Sequence, residues 1–256
     1  MSYAIADART MLRRQYKHAI RYPATAISSL FLPLMFLLLF VYVFGGSMGG
    51  GLPTGTSYVD YVVPGIIFMC ISSGAAQTSV GAASDMTEGI ISRFRTMSIS
   101  RASVLTAHVV ANVVRTMAAI IFMLAVALLI GFRPTADPLE WLAFLGAATL
   151  FSLMISWLSV AFGLNARSVE TANGASLPLQ FLPFISSAFV PPESASAGVR
   201  WFMANQPFTP MIETIRGLLL GTPIGNSLIV SVGWAVGFSV IGYLWARKLY
   251  NRDTDR

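Results

Sequence analysis

Charge is scarce in this sequence. Asp, Glu, Lys and Arg make up 11% of its 256 residues, against 55% hydrophobic residues, and the mean hydropathy is +0.68. A soluble domain of this length needs far more polar surface, so the composition excludes one and points to an integral membrane protein. Cysteine is nearly missing as well. The lone Cys70 lies inside an apolar run, which excludes a disulfide framework and a cysteine-built metal site. His18 and His108 are the only imidazoles, so no metal centre is expected. No G-x-x-x-x-G-K-[ST] loop occurs, which excludes P-loop binding of ATP by this sequence. The glycine-rich residues 45–51 follow an apolar run and open no helix, so they read as a flexible outer turn rather than a phosphate cradle. No histidine, acid and nucleophile can be grouped on one side of a membrane, which leaves hydrolytic chemistry without support. No apolar core precedes residue 23 and no small-residue cleavage site follows it, so the N-terminus is not expected to be a cleaved signal.

What the sequence has in abundance is long apolar runs. Six of them, residues 26–44, 58–83, 106–131, 139–164, 171–190 and 224–246, match the roughly 20 residues needed to cross about 30 Å of hydrocarbon. The expected fold class is an all-α membrane protein with six transmembrane helices, a single transmembrane domain over 1–256. Lysine and arginine set its orientation. Arg9, Arg13, Arg14, Lys17, Arg21, Arg93, Arg95, Arg101, Arg167, Arg247, Lys248, Arg252 and Arg256 fall on one side, and only Arg133, Arg200 and Arg216 on the other. Both termini and residues 85–101 are therefore expected in the cytoplasm. The net charge of +6 borders apolar spans instead of forming a soluble patch, so nucleic acid is not the expected partner.

Residues 1–25 carry an amphipathic pattern. Ala8, Met11, Leu12, Tyr16, Ala19 and Ile20 share one face, while Arg9, Arg13, Lys17 and Arg21, beside Arg14, share another. Such a helix lies in the membrane interface with its basic side on anionic lipid headgroups. A second amphipathic stretch interrupts the spans at 85–101. Asp85, Glu88, Arg93, Arg95 and Arg101 force it out of the hydrocarbon, yet Met86, Ile90, Phe94 and Met97 recur at helical spacing, opposite Glu88, Ser92 and Arg95. The pattern suits a short helix that docks a cytoplasmic partner.

Polar residues inside spans are costly and tend to face protein or a pathway. Gln77, Asn112, Arg115, Asn173 and Gln180 are the candidates, with Thr78 beside Gln77. Arg115 is the most expensive, and pairing or snorkelling accounts for it better than a substrate contact. Pro33, Pro64, Pro178 and Pro183 interrupt spans, and the pair in the fifth predicts a bent, protein-facing helix. Gly233 and Gly237 form a G-x-x-x-G that permits close helix contact. Residues 191–223 are too apolar for a free loop and too broken for a span. Asn205-Gln206-Pro207 divides two short apolar helices, the second starting at Thr209-Pro210, carrying Glu213 and Arg216 and stopping at Gly221. Two helices dipping into the outer leaflet and returning fit this pattern.

Four features in this order resemble the ABC-2-type exporter permeases, and among them the daunorubicin-resistance-like membrane subunits. They are the basic amphipathic start over 7–22, the Tyr58-Val59-Asp60-Tyr61-Val62-Val63-Pro64-Gly65 opening of the second span, the 88–101 segment with Glu88-Gly89 and Arg93-Phe94-Arg95, and Asn205-Gln206-Pro207-Phe208-Thr209-Pro210 leading to Ile215-Arg216-Gly217 and Gly221. The resemblance covers nearly the whole chain. It implies a half-transporter: two six-span subunits, identical or related, each engaging a separate cytoplasmic ATPase subunit, with two ATPase copies binding the ATP and Mg. By that analogy 88–97, together with Met86, is the coupling helix, residues 1–25 are the interfacial helix beside it, and the segment before and through 209–220 forms external re-entrant helices. This chain then needs no cofactor and performs no catalysis itself.

The first functional expectation is export of an amphiphilic drug or lipid-like molecule across a bacterial plasma membrane. A polysaccharide or glycolipid exporter shares the architecture, but Trp141, Trp157, Trp201, Trp234 and Trp245 are scattered rather than aligned along a path. An ATP-independent secondary transporter would need coupling acids and an inverted repeat that the sequence lacks. An intramembrane enzyme would need a catalytic set.

Overall fold

The computed structural model describes residues 23–48, 57–87 and 101–252. The predicted interfacial residues Arg9, Arg13, Arg14, Lys17 and Arg21 lie outside the described residues. So do Glu88, Gly89, Ile90, Arg93, Phe94, Arg95 and Met97.

Every regular element among the described residues is helical. Helix α1, Pro23–Leu38, continues as a π-helical stretch Leu39–Phe44 and a last turn Gly45–Met48. It is followed by α2, Tyr58–Thr87; α3, Arg101–Ile130; α4, Pro138–Asn165; α5, Val169–Phe181, extended by the 3₁₀ turn Leu182–Ile185; α6, Ala197–Asn205; α7, Phe208–Leu220; and α8, Ser227–Arg252. Four of these, over Tyr58–Met86, Leu105–Ile130, Pro138–Asn165 and Ser227–Tyr250, are long and apolar enough to cross a membrane.

Local sequence explains the boundaries. Asp137-Pro138-Leu139-Glu140 starts α4 with a capping box, Asp137 Oδ1 accepting the Glu140 N–H at 2.7 Å and Glu140 Oε2 the Asp137 N–H at 2.8 Å, with proline at the first helical position. Ser168 caps α5 through the Thr171 N–H. The same Ser168 hydroxyl, with the local backbone, holds the Glu170 carboxyl below its ordinary range. Gly221, at φ 65°, ends α7 in the left-handed conformation that glycine adopts without strain.

The structure departs from the sequence expectation in four places. The run 171–190 is not one helix: α5 stops at Phe181 and tightens to 3₁₀ around Pro183, since prolines at 178 and 183 remove two helical donors five residues apart. The last helix begins at Ser227, after a turn with Gly225 at φ 53°, and not at Ile224. Helix α7 begins at Phe208, so Thr209 and Pro210 lie inside its first turn, where Thr209 Oγ1 accepts from Gln206 Nε2 instead of capping. Among the described residues, Gly233 and Gly237 meet no other element; α8 packs closely on α4 at Gly242 instead, against Trp157 and Leu158.

Helix α2 is the hub. It packs against α1, α3, α4, α5 and α7, while α4 bridges it to α8. Val62, Val63, Ile66, Ile67, Phe68 and Ile71 are fully buried around its first half. Gly65 lies against the Ala188 backbone and Gly163 of α4 against the Ser79 carbonyl, both too close for any side chain. Small residues thus let backbones approach, the packing that holds helices together where lipid competes for apolar contacts.

Candidate functional site

Helices α6 and α7 are joined by a tight turn at Gln206-Pro207; the turn and α7 are buried in the bundle, while α6 is exposed except at Met203. At the turn, the Phe208 ring lies 5.3 Å from that of Phe68, ten residues or roughly 15 Å into α2. At the far end of α7, the Leu219 carbonyl accepts from the Thr135 N–H at 2.9 Å, in the loop between α3 and α4. Helix α7 therefore climbs from mid-bundle back to the level where α2 begins.

Arg216 fastens this returning helix. Its side chain is 8% exposed. Nη1 donates to Glu213 Oε1 at 2.5 Å, one turn back, and Nη2 to the carbonyls of Tyr61 at 3.1 Å and Ser187 at 2.8 Å. The guanidinium also stacks 4.1 Å over the Tyr61 ring, whose hydroxyl donates to the same Ser187 carbonyl at 3.1 Å. Arginine suits this place because its planar fork can serve three acceptors and an aromatic face together. Nε remains buried without a partner. The start of α2, the segment after α5 and α7 are thereby tied at one point.

Gln206 plays the corresponding part at the turn. Its Nε2 donates to the Ile185 carbonyl at 2.9 Å and to Thr209 Oγ1 at 3.1 Å, and Pro207 then leads into α7. Asn205 is exposed and its amide donates back to the Trp201 carbonyl at 2.7 Å.

A second polar group lies within the bundle. Fully buried Asn112 donates to Ser156 Oγ of α4 at 2.8 Å and accepts from Arg115 Nη2 at 2.8 Å, while its side chain fills the space beside Gly74 of α2. Three helices meet there, and Arg115 is drawn to an interhelical amide, half-buried, rather than into an open path. Gln77 is half-buried on α2; Asn173 is exposed on α5; Gln180 donates to Ser176 Oγ of its own helix at 3.3 Å. Of the polar candidates, Asn112 and Arg115 thus meet at one point, while Asn173 and Gln180 lie on α5.

At the opposite end, His108 Nε2 sits 2.9 Å from Asp85 Oδ2, joining the start of α3 to the end of α2. Met86 packs beside them on a cluster of Leu105, Val109, Val160, Ala161, Leu164, Ala246 and Tyr250. Sequence reasoning missed this pair. Its signal was available, since Asp85 and His108 are ionisable groups at the facing ends of the two apolar runs that the 88–100 segment joins.

Comparison with known proteins converges on one family. A family model described as "ABC-2 type transporter" matches residues 7–220. The chain is 26% identical over 241 residues to "Daunorubicin resistance ABC transporter permease protein DrrB1" of Streptomyces coeruleorubidus, covering 92% of this chain and 84% of that protein. It is 24% identical over 217 residues to "Probable doxorubicin resistance ABC transporter permease protein DrrC" of Mycobacterium tuberculosis, covering 85% and 78%. It is also similar to "Putative transport permease ycf38" of Pyropia yezoensis, 22% identical over 242 residues, covering 94% and 80%.

Proposed function

Because the chain belongs to the ABC-2 type transporter family, we propose that it is the permease subunit of an exporter driven by a separate ATP-binding cassette ATPase. Its cargo on this reading is an amphiphilic drug or lipid-like molecule, in keeping with relatives named for daunorubicin and doxorubicin resistance. The observation that carries the proposal is the turn into α7, which lies at the level of Phe68, with α7 fastened to the start of α2 by Arg216. A turn at that depth obstructs a path, and the anchoring of α7 to α2 gives movement of α2 a means of shifting it.

The finer architecture belongs to the same proposal. Helix α1 and the bent α5 with its 3₁₀ extension complete six spans with the four long helices. Both termini face the cytoplasm of a bacterial cell, α7 and the turn before it close the outer side, and residues 1–25 rest on the inner lipid surface. A second permease subunit, identical or related, pairs with this one. Two ATPase subunits bind ATP and Mg and dock on 85–101, where Ile90, Phe94 and Met97 supply packing on the same face as Met86, which holds the segment to the chain's own cluster, and Glu88 and Arg95 set register.

The test is co-expression of the chain with the ATPase encoded beside it, reconstitution of the complex into vesicles, and measurement of ATP-dependent movement of a panel of drugs, lipids and glycans. Movement of amphiphiles but not glycans is expected. Absence of nucleotide-dependent movement of every compound in a well-assembled complex would overturn the reading.

A further inference from the structure

Helix α3 is the most apolar of the four long helices, and most of its apolar stretch faces outward. Val114, Ile121, Phe122, Leu128 and Leu129 are exposed along it. Contacts between helices in membranes favour small residues, so a face of large branched and aromatic side chains is one that lipid covers. Arg115 stands at the edge of that face, half-buried, beside Val114.

Its guanidinium is held in place but not neutralised. Asn112 Nδ2 donates to Ser156 Oγ, so Asn112 Oδ1 is the atom turned toward Arg115 Nη2. Nε and Nη1 have no acceptor among the described residues, and neither is sealed in the interior as Arg216 Nε is. The ion pairs among the described residues join Arg216 to Glu213 and His108 to Asp85, so no carboxylate there answers Arg115. A cation at the edge of hydrocarbon calls for an anion.

Depth decides which anion. The span Leu105–Ile130 has 26 residues, about 39 Å of helix against about 30 Å of hydrocarbon. Counting about 20 residues back from Ile130 puts the hydrocarbon edge near residue 111. Arg115 reaches back to Asn112, one turn closer to that edge, which brings its free nitrogens within reach of lipid phosphates.

We propose that Arg115 binds the phosphodiester of an anionic phospholipid whose acyl chains lie along the outer face of α3. The lipid belongs to the leaflet at the α3 start, the inner one in the orientation proposed above. Its headgroup carries no amine, because a choline or ethanolamine cation would stand beside Arg115 while Asp85, the acid at the end of α2, is engaged by His108. The lipid is a resident of the chain and not its cargo, so the site stands apart from the exporter reading.

Phosphatidylglycerol and phosphatidylcholine bearing the same acyl-chain fluorophore, titrated with the full chain in neutral detergent and read by anisotropy, test it. Phosphatidylglycerol is expected to bind about tenfold tighter, the factor of one hydrogen bond between charged groups. Arg115→Gln is expected to bring the two lipids level. Ala111→Glu leaves Arg115 in place but sets a carboxylate one helical turn before it, and is expected to abolish the preference by pairing with it. Arg167→Gln removes an exposed cation elsewhere and is expected to leave the tenfold preference intact. Circular dichroism and gel filtration identify any variant that fails to fold. Equal binding of the two lipids to the unsubstituted chain would overturn the site. So would a preference that survives in folded Arg115→Gln or Ala111→Glu, or one that Arg167→Gln removes as fully. Millimolar inorganic phosphate is expected to leave phosphatidylglycerol bound; displacement by it would assign Arg115 to a free anion and overturn the lipid.

Discussion

Helices α2 and α8 are nearly equal in apolarity, with mean hydropathies of 1.6 and 1.8 over their most apolar stretches, and they sit in opposite surroundings. Most of α2 is enclosed by five other helices; most of α8 faces outward, with Ile229, Val236, Val240, Ile241 and Leu244 exposed. Hydropathy alone does not separate them, because in a membrane it reports depth and lipid is as apolar as a protein core. What separates them is small and polar residues with partners. Gly65, Gly74, Ser79 and Asp85 of α2 each meet another element, at the Ala188 backbone, Asn112, the Ala172 carbonyl and His108. On α8, Gly233 and Gly237 meet no other element among the described residues, and contact with α4 falls at Gly242.

That contrast can be broken by substitution. The largest effect is expected at Arg216, where Arg216→Met removes the donor to Glu213, to the Tyr61 carbonyl at the head of α2 and to the Ser187 carbonyl after α5, and destabilises the chain by about 3 kcal/mol. Denaturant titration in mild detergent measures it, and an unchanged midpoint would remove Arg216 as the fastener. Next comes Gly163→Ala, which drives a methyl group into the Ser79 carbonyl and is expected to cost about 2 kcal/mol in the same titration. Asn112→Ala removes the bonds to Ser156 and Arg115 and is expected to cost about 1 kcal/mol, the modest value typical of interhelical hydrogen bonds in membranes. Gly233→Ala and Gly237→Ala on α8 are expected to fall within roughly 0.5 kcal/mol of the parent. A cost at Gly233 equal to that at Gly163 would erase the distinction between hub and periphery.

The same reasoning shows what was legible in the sequence. The four long helices could be read from apolar length, and the starts and stops at Pro138 and Gly221 from capping chemistry, because these signals are local. Pro178 and Pro183 announced a bend in the fifth run for the same reason, but not that α5 would stop at Phe181. The G-x-x-x-G of α8 permits close approach but names no partner, since that needs a facing surface that one helix does not specify. Nor could spacing reveal that Tyr61 and Arg216, in two of the segments that carried the family resemblance, stack on one another 155 residues apart. The pairing of Asp85 with His108 was hidden likewise, because it depends on how separate helices are brought together.

The central claim, that this chain is moved by an ATPase docked on 85–101, is tested most directly by measuring how tightly that ATPase binds the chain in lipid discs, with and without Glu88→Ala and Arg95→Ala. The account predicts a stable complex with the parent chain, binding weakened about tenfold or more by the paired substitution, and normal membrane insertion of both. An ATPase that ignores the parent chain, or binds the substituted chain equally well, would contradict it.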